Sequence, residues 1–96
     1  MSEMFKQLEA IIRDRQRNPA AGSYTNRLLD AGRATIAQKV GEEAVETIVA
    51  ALEQGRREQV SELADLFYHV LVLMAELDLS LQDVELELES RHRPRG

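Results

Sequence analysis

A helix predicted for residues 57–77 is apolar on nearly every side from Leu63 onward, and few architectures can accommodate such a helix. A helix of this kind must be buried on several sides, whereas a surface helix has a single apolar stripe. Its longest uninterrupted aliphatic run, residues 70–75, is far shorter than the roughly 20 residues that span a bilayer. The segment therefore indicates the central helix of a bundle and not a membrane span.

Four further helices are predicted from the spacing of apolar residues and from the residue types at the helix ends. Ser23 is a suitable N-cap for a short helix that Gly32 can end. Gly55 separates the two longest helices, and Ser80 with Asp83 forms a capping box before the last one. The five predicted helices cover residues 4–16, 24–31, 33–54, 57–77 and 81–89.

These elements predict an all-α bundle of about five helices in a single domain, residues 1–96, with residues 91–96 as a frayed tail. The remaining helices are too few and too short to cover residues 63–77 on every side. The sequence therefore favours a homodimer that completes a four-helix-bundle core, with a compact monomer as the alternative. Gly41, inside the third helix, indicates that another element packs closely there.

Composition excludes several classes of function. The chain has no cysteine, which excludes a disulfide scaffold, a thiolate zinc site, an iron–sulfur cluster and a cysteine nucleophile. Its net charge of −5 argues against general nucleic-acid binding. The start of the chain does not resemble a signal peptide, and no membrane segment is predicted, so we expect a cytoplasmic protein.

Two pairs of acidic residues are arranged symmetrically about the predicted turn at residues 54–55. Glu43 and Glu46 lie three residues apart on the third helix, and Glu62 and Asp65 lie three apart on the fourth. Because a helix turns by about 100° per residue, each pair projects from one side. The inner members of the two pairs are equally far from residue 54, and so are the outer members. In an antiparallel hairpin the four carboxylates therefore converge.

Four converging carboxylates repel one another unless protons or cations neutralise them. Asp65 also lies among apolar residues, which predicts that it is buried and needs a partner such as a divalent cation. An all-oxygen ligand set suits Mg²⁺ or Mn²⁺, and Mg²⁺ held by carboxylates commonly also binds substrate phosphates. The pattern therefore predicts metal-assisted hydrolysis of a polyphosphate, with water as the nucleophile.

Three neighbouring residues could assist this chemistry. Lys39 could neutralise a phosphate, or it could form an ordinary surface ion pair with Glu43 four residues later. Glu42 could hold a water molecule or simply face solvent. His69, four residues after Asp65, could orient that carboxylate as an outer-shell partner or be a core histidine hydrogen-bonded to the backbone.

The start of the second predicted helix offers hydroxyls, a ring and a cation where free N–H groups favour anions. The residues concerned are Ser23, Tyr24, Thr25 and Arg27. The alternative is an ordinary capped helix with a tyrosine in the core.

The motifs Ser23-Tyr24-Thr25, Lys39-Val40-Gly41-Glu42-Glu43-Ala44-x-Glu46 and Glu62-x-Ala64-Asp65-Leu66-x-Tyr68-His69 closely resemble the phosphoribosyl-ATP pyrophosphatase family. This family belongs to the MazG-like all-α nucleotide pyrophosphohydrolases, which have an ExxE and an ExxD motif on two packed helices. The resemblance covers about residues 5–92 and implies a tightly intertwined dimer.

The resemblance implies Mg²⁺-dependent hydrolysis of the α–β phosphoanhydride of phosphoribosyl-ATP, the second step of histidine biosynthesis. It implies that the metal ligands are Glu43, Glu46, Glu62 and Asp65, and that the catalytic carboxylates are Glu42, Glu43 and Glu46. Lys39 and the 23–27 segment are expected near the phosphates or ribose of the substrate. Two alternatives remain open, a MazG-like enzyme that cleaves ordinary or damaged (d)NTPs and a non-enzymatic helical dimer.

Overall fold

The computed structural model describes residues 2–93, and in that range the chain forms five α-helices and no strand. The helices are α1 (Glu3–Arg17), α2 (Tyr24–Ala31), α3 (Arg33–Glu53), α4 (Arg56–Glu76) and α5 (Leu81–Arg91). The all-α prediction is confirmed, and every predicted helix end lies within two residues of the observed one. Arg91, placed in the predicted tail, is the last residue of α5, and residues 94–96 of that tail lie outside the described range.

The predicted caps explain where the helices start and stop. The Ser23 hydroxyl accepts a hydrogen bond from the Asn26 backbone N–H at 3.2 Å, and Gly32 ends α2 with a left-handed φ of 98°. Ser80 and Asp83 form a reciprocal capping box at the start of α5. The hydrogen bond that Asp83 accepts from the Ser80 backbone N–H lowers the pKa of its carboxyl group.

The core packs the second half of α4 against α1, α2, the start of α3 and the first residue of α5. Its buried members are Ile12, Leu28, Ile36, Leu71, Val72, Met74, Ala75 and Leu81. The buried Asn26 fixes the loop before α2, since its amide accepts from Ala20 N–H and donates to the Arg15 carbonyl, both at 2.9 Å. This arrangement holds α2 beside α4, next to the acidic motifs.

Burial of α4 on several sides is confirmed only for its second half. Within residues 69–75 every side chain is buried or half-buried, whereas Leu63 and Phe67 remain 40% and 46% exposed. No helix within residues 2–93 has both the length and the apolar character that crossing a membrane requires.

The chain is more open than a compact monomer of its size. Its radius of gyration is 15.1 Å, whereas a compact domain of this length has about 12.5 Å. Its accessible surface is 6887 Å², against about 5,600 Å² for a typical monomer of this mass. The close packing expected at Gly41 is absent within this chain, because a β-carbon placed there meets no heavy atom of another element within 4 Å.

The capping box of α5 gives a stability test. We expect Ser80→Ala to lower the free energy of unfolding by about 1 kcal/mol. The substitution removes the hydroxyl that accepts the hydrogen bond of the Asp83 backbone N–H and so breaks the capping box. Ser61→Ala on the exposed surface of α4 is the matched control and should change it by less than about 0.5 kcal/mol. Urea denaturation followed by circular dichroism measures both, and equal effects of the two substitutions would contradict the capping role.

Candidate metal centre

The α3–α4 hairpin brings carboxylates from both acidic motifs together. One carboxylate oxygen from each of Glu43, Glu62 and Asp65 lies within 4.8 Å of the other two. The hydroxyl of Thr47 holds the two helices in this register, since it donates to the Glu43 carbonyl at 2.8 Å and also approaches the Glu62 carbonyl at 3.3 Å. The predicted convergence across the hairpin is therefore present for these three residues.

Two of these carboxylates each have one oxygen without a hydrogen-bond partner in the protein. Glu43 and Glu62 are half-buried, and the Oε2 atom of each is out of contact with solvent and has no hydrogen-bond partner. Burial, followed by the hydrogen bonding and charge of neighbouring Glu46, raises the pKa of both carboxyl groups. The hairpin therefore holds negative charge in a place that favours a proton or a cation.

The other two predicted ligands take less central positions. Glu46 is exposed and lies beside the trio, where its carboxylate contributes to the raised pKa of Glu43 and Glu62. Asp65 is also exposed, so the prediction that it is buried is wrong for the single chain. The apolar neighbours of Asp65 in sequence point to other sides of α4, and this side of the hairpin is uncovered.

The donor set fits a hard divalent cation. All the converging atoms are carboxylate oxygens, which suit Mg²⁺ or Mn²⁺ better than zinc or copper. The two partnerless Oε2 atoms of Glu43 and Glu62 are the observation that a bound cation would account for, since a buried charged oxygen is costly unless it is paired.

His69 does not orient the Asp65 carboxylate, and this expectation is wrong. The buried imidazole donates from Nδ1 to the Asp65 backbone carbonyl at 2.7 Å, because a carbonyl can only accept. In the neutral ring Nε2 is then an acceptor, and the Tyr24 hydroxyl donates to it at 3.0 Å. His69 thus matches the core-histidine alternative and links α2 to the backbone of α4 at Asp65.

In the Ser23–Arg27 segment, two of the predicted residues make hydrogen bonds within the protein and two are exposed at the surface. Ser23 caps α2, and the buried Thr25 hydroxyl is hydrogen-bonded to the Tyr68 hydroxyl. Tyr24 is 40% exposed, and the guanidinium carbon of the exposed residue Arg27 lies 5.5 Å from the centre of the Tyr24 ring. Of the four predicted residues, Tyr24 and Arg27 are therefore the two with surface to offer a ligand.

Lys39 and Glu42 form a surface pair beside the carboxylates. Lys39 Nζ lies 3.5 Å from Glu42 Oε1, so its partner is Glu42 and not Glu43 as the spacing suggested. Gln38 donates to the other oxygen of Glu42 at 2.9 Å. This hydrogen bond, together with the charge of Lys39, lowers the pKa of Glu42, so that this carboxylate is ionised near neutral pH.

Three residues hold the candidate site together through hydrogen bonds, and the sequence analysis assigned a role to none of them. Thr47 ties the backbones of α3 and α4 together at the carboxylates, Gln38 holds Glu42, and Tyr68 anchors Thr25. Thr47 and Gln38 each lie four residues from the acidic residue they support, and that spacing is the signal by which they could have been found.

The poorly satisfied carboxylates lead to a stability prediction. We expect Glu43→Gln to raise the melting temperature of the metal-free protein at pH 7. Burial and neighbouring Glu46 raise the pKa of the Glu43 carboxyl group, so its ionised form destabilises the folded state at pH 7, and glutamine removes that charge. We also expect the stabilisation of the wild-type protein by Mg²⁺ or Mn²⁺ to be largely lost in this variant. Thermal denaturation with and without each metal measures both effects.

Glu53→Gln is the matched control, since Glu53 is an exposed carboxylate at the end of the same helix. It should leave the metal-dependent shift in melting temperature unchanged. If Glu43→Gln and Glu53→Gln respond to metal equally, the carboxylate trio is not a metal site.

Comparison with known proteins agrees with the acidic motifs. A family model described as phosphoribosyl-ATP pyrophosphohydrolase matches residues 5–92. The chain is 56% identical over 89 residues to a phosphoribosyl-ATP pyrophosphatase of Pyrobaculum aerophilum, covering 93% of this chain and 95% of the relative. It is 48% identical over 91 residues to a protein of the same name from Metallosphaera sedula, covering 95% and 98%. A Sulfurisphaera tokodaii protein of that name is 50% identical over 90 residues, covering 94% and 96%.

Proposed function

Since the chain belongs to the phosphoribosyl-ATP pyrophosphohydrolase family, and is therefore a hydrolase, we propose that it cleaves phosphoribosyl-ATP with the help of Mg²⁺. The bond broken is the α–β phosphoanhydride, and the products are phosphoribosyl-AMP and pyrophosphate, which makes this the second step of histidine biosynthesis. A cytoplasmic location is part of the same proposal.

The observation that supports metal dependence is the pair of partnerless buried oxygens in a group of three converging carboxylates. Glu43, Glu62 and Asp65 would hold the cation, with Glu46 beside them as a fourth ligand. At this position Mg²⁺ would supply charge to offset the phosphates and would lower the pKa of a water molecule. The protein supplies the fixed positions of the ligands, since Thr47 ties the two helix backbones together at this level.

Water is the nucleophile in this proposal. The chain has no cysteine, and the hydroxyls of Thr47, Ser23 and Thr25 are all engaged: Thr47 donates to the Glu43 carbonyl, Ser23 caps α2, and Thr25 is bonded to Tyr68. Glu42, held by Gln38 and Lys39 in its ionised form, is suited to accept a hydrogen bond from the attacking water. As the water oxygen bonds to the α-phosphorus, the bond from that phosphorus to the bridging oxygen breaks. Pyrophosphate leaves with that oxygen, and the proton that the water loses passes to Glu42.

Substrate binding is assigned to the exposed groups around this centre. Lys39 is one turn from Glu43 on α3 and can exchange its surface contact with Glu42 for a phosphate. Arg27 has no carboxylate within ion-pair distance among the described residues and rests against the Tyr24 ring. The Tyr24–His69–Asp65 chain of hydrogen bonds connects that ring to the backbone beside the carboxylates.

The homodimer is also part of the proposal. A radius of gyration of 15.1 Å and exposed apolar side chains on α3, α4 and α5 suit a chain whose core is completed by a second copy. The accessible surface exceeds that of a typical monomer of this mass by about 1,300 Å². A standard protein interface covers about 800 Å² on each partner.

The substrate test compares phosphoribosyl-ATP with ATP and a panel of dNTPs in the presence of Mg²⁺, with pyrophosphate release as the readout. We expect kcat/KM to be highest for phosphoribosyl-ATP and activity to vanish on removal of the metal with EDTA. Dominant hydrolysis of dNTPs would instead support the MazG-like alternative, which shares the same acidic motifs. If the protein hydrolyses no nucleotide and metal does not change its stability, the result supports the alternative of a non-enzymatic helical dimer.

The two cations assigned to substrate binding, Arg27 and Lys39, give a second test. We expect Arg27→Gln and Lys39→Gln each to lower kcat/KM for phosphoribosyl-ATP by about 10- to 100-fold, the value of a hydrogen bond to a charged group. Arg57→Gln, an exposed residue in the first turn of α4, is the control and should have little effect. Wild-type rates in both variants would remove these residues from the substrate site.

A further inference from the structure

The substrate of the proposed function carries phosphate at two separate places. Phosphoribosyl-ATP is ATP whose adenine bears a second ribose with a phosphate of its own. A cation at the carboxylates can neutralise the triphosphate, but the second phosphate lies on the far side of the base from that end. The protein that it approaches has a net charge of −5. Binding of the second phosphate therefore needs a separate positive group of the protein.

Arg27 on α2 is a positive group of this kind, because its charge is not used within the protein. The residue is exposed, and no carboxylate of residues 2–93 lies within ion-pair distance of its guanidinium. The next two cations along the chain are engaged. Arg33 Nε lies 3.7 Å from Glu76 Oε1, and Lys39 Nζ lies 3.5 Å from Glu42 Oε1.

The Arg27 guanidinium also rests on a ring that is itself held in place. Its carbon lies 5.5 Å from the centre of the Tyr24 ring. That ring stacks on Tyr68, with centres 6.1 Å apart and planes at 27°, and its hydroxyl donates to His69 Nε2 at 3.0 Å. Contact with an aromatic face orients a guanidinium without neutralising its charge. Less conformational freedom is then lost when the group binds a ligand.

Arg27 is close to the carboxylates but on a different helix from them. The ring centres of Tyr24 and His69 are 5.9 Å apart, and His69 Nδ1 lies 2.7 Å from the Asp65 carbonyl oxygen. Two rings in contact thus connect Arg27 to the backbone of a candidate metal ligand. Lys39, in contrast, lies one turn from Glu43 on α3 itself. The two cations are therefore placed for two different parts of an extended nucleotide.

Resting on the proposed function, we propose that Arg27 binds the phosphate of the phosphoribosyl group and so selects phosphoribosyl-ATP over ATP. A guanidinium presents a planar fork of N–H donors that matches two oxygens of a phosphate. Lys39 then serves the triphosphate, which both nucleotides have. A site for ordinary nucleotides needs the carboxylates and Lys39 but has no second phosphate for Arg27 to bind.

Phosphoribosyl-AMP and AMP are matched probes for this proposal. They differ only by the phosphoribosyl group, and neither contains the anhydride bond that the enzyme cleaves. Each is measured as a competitive inhibitor of phosphoribosyl-ATP hydrolysis with Mg²⁺ present, with pyrophosphate release as the readout. The variants are Arg27→Gln and Arg27→Lys. Arg33→Gln is the matched control, since Arg33 is an exposed arginine near α2 that already has a carboxylate partner.

We expect Arg27→Gln to raise the inhibition constant of phosphoribosyl-AMP by about 10- to 100-fold, the value of a hydrogen bond to a charged group. The inhibition constant of AMP should change little. Arg27→Lys keeps the charge without the fork and should recover part of the loss. Arg33→Gln should match the wild-type protein with both probes. Lys39→Gln should lower kcat/KM for phosphoribosyl-ATP without changing the ratio of the two inhibition constants.

Two results would overturn the assignment of Arg27. If Arg27→Gln weakens AMP and phosphoribosyl-AMP equally, the residue binds the part that they share. If neither constant changes while kcat/KM for phosphoribosyl-ATP falls, Arg27 binds the triphosphate.

Failure of the proposed function gives a different result, namely a wild-type protein that does not hydrolyse phosphoribosyl-ATP. Calorimetric titration with the same two probes then decides the role of Arg27. A preference for phosphoribosyl-AMP that disappears in Arg27→Gln supports the assignment. Equal affinity of the wild-type protein for the two probes contradicts it.

Discussion

Repulsion between carboxylates held in a helical hairpin is the constraint on which the rest of this structure depends. Glu43 and Glu62 each keep an oxygen away from solvent without a partner, and an unfavourable arrangement of this kind persists only if the surrounding structure holds it in place. The hairpin does so through small side chains and backbone contacts. Ala50 is fully buried between the helices, Gln59 donates to the carbonyls of Ala50 and Gln54 at the turn, and Thr47 ties the two backbones at the level of the acids.

The remaining helices support that hairpin at its far end. The core lies around Val72 and Ile36, away from the turn, so the two long helices are held firmly at one end and converge on the acids towards the other. α2 connects the two regions, since Thr25 bonds Tyr68 and Tyr24 bonds His69, whose other nitrogen holds the Asp65 carbonyl. A displacement of α2 would therefore be transmitted directly to the backbone that carries one of the candidate ligands.

Sequence reasoning was most successful where regular geometry decides the outcome. Helix ends follow from local capping chemistry at Ser23, Gly32 and Ser80. The convergence of carboxylates from α3 and α4 follows from the spacing of the two acidic motifs about the turn, because two straight antiparallel helices place them side by side. The sequence did not predict which hydrogen-bond partner a side chain uses when two partners lie equally near. A spacing of four residues brings both the carboxylate and the carbonyl of Asp65 within reach of His69, and the spacing alone does not decide between them. In the structure Nδ1 bonds the carbonyl and Nε2 bonds the Tyr24 hydroxyl of another helix. The exposure of Asp65 could not be predicted either, since it depends on what lies over the hairpin and not on the hairpin itself.

Helix α3 bears carboxylates on one side and exposed apolar residues on the adjacent side. The need to cover the apolar residues is therefore linked to the need to neutralise the carboxylates. The exposed apolar residues Val45, Ile48, Val49 and Leu52 of α3 are costly to leave in water, and the carboxylates beside them are costly to leave unpaired. In the proposed homodimer, a partner over these residues would lower the dielectric around the acids, which would strengthen both their attraction for a cation and their mutual repulsion without one. Association and metal binding would then reinforce each other, because a cation at the acids removes the repulsion that the partner would otherwise intensify.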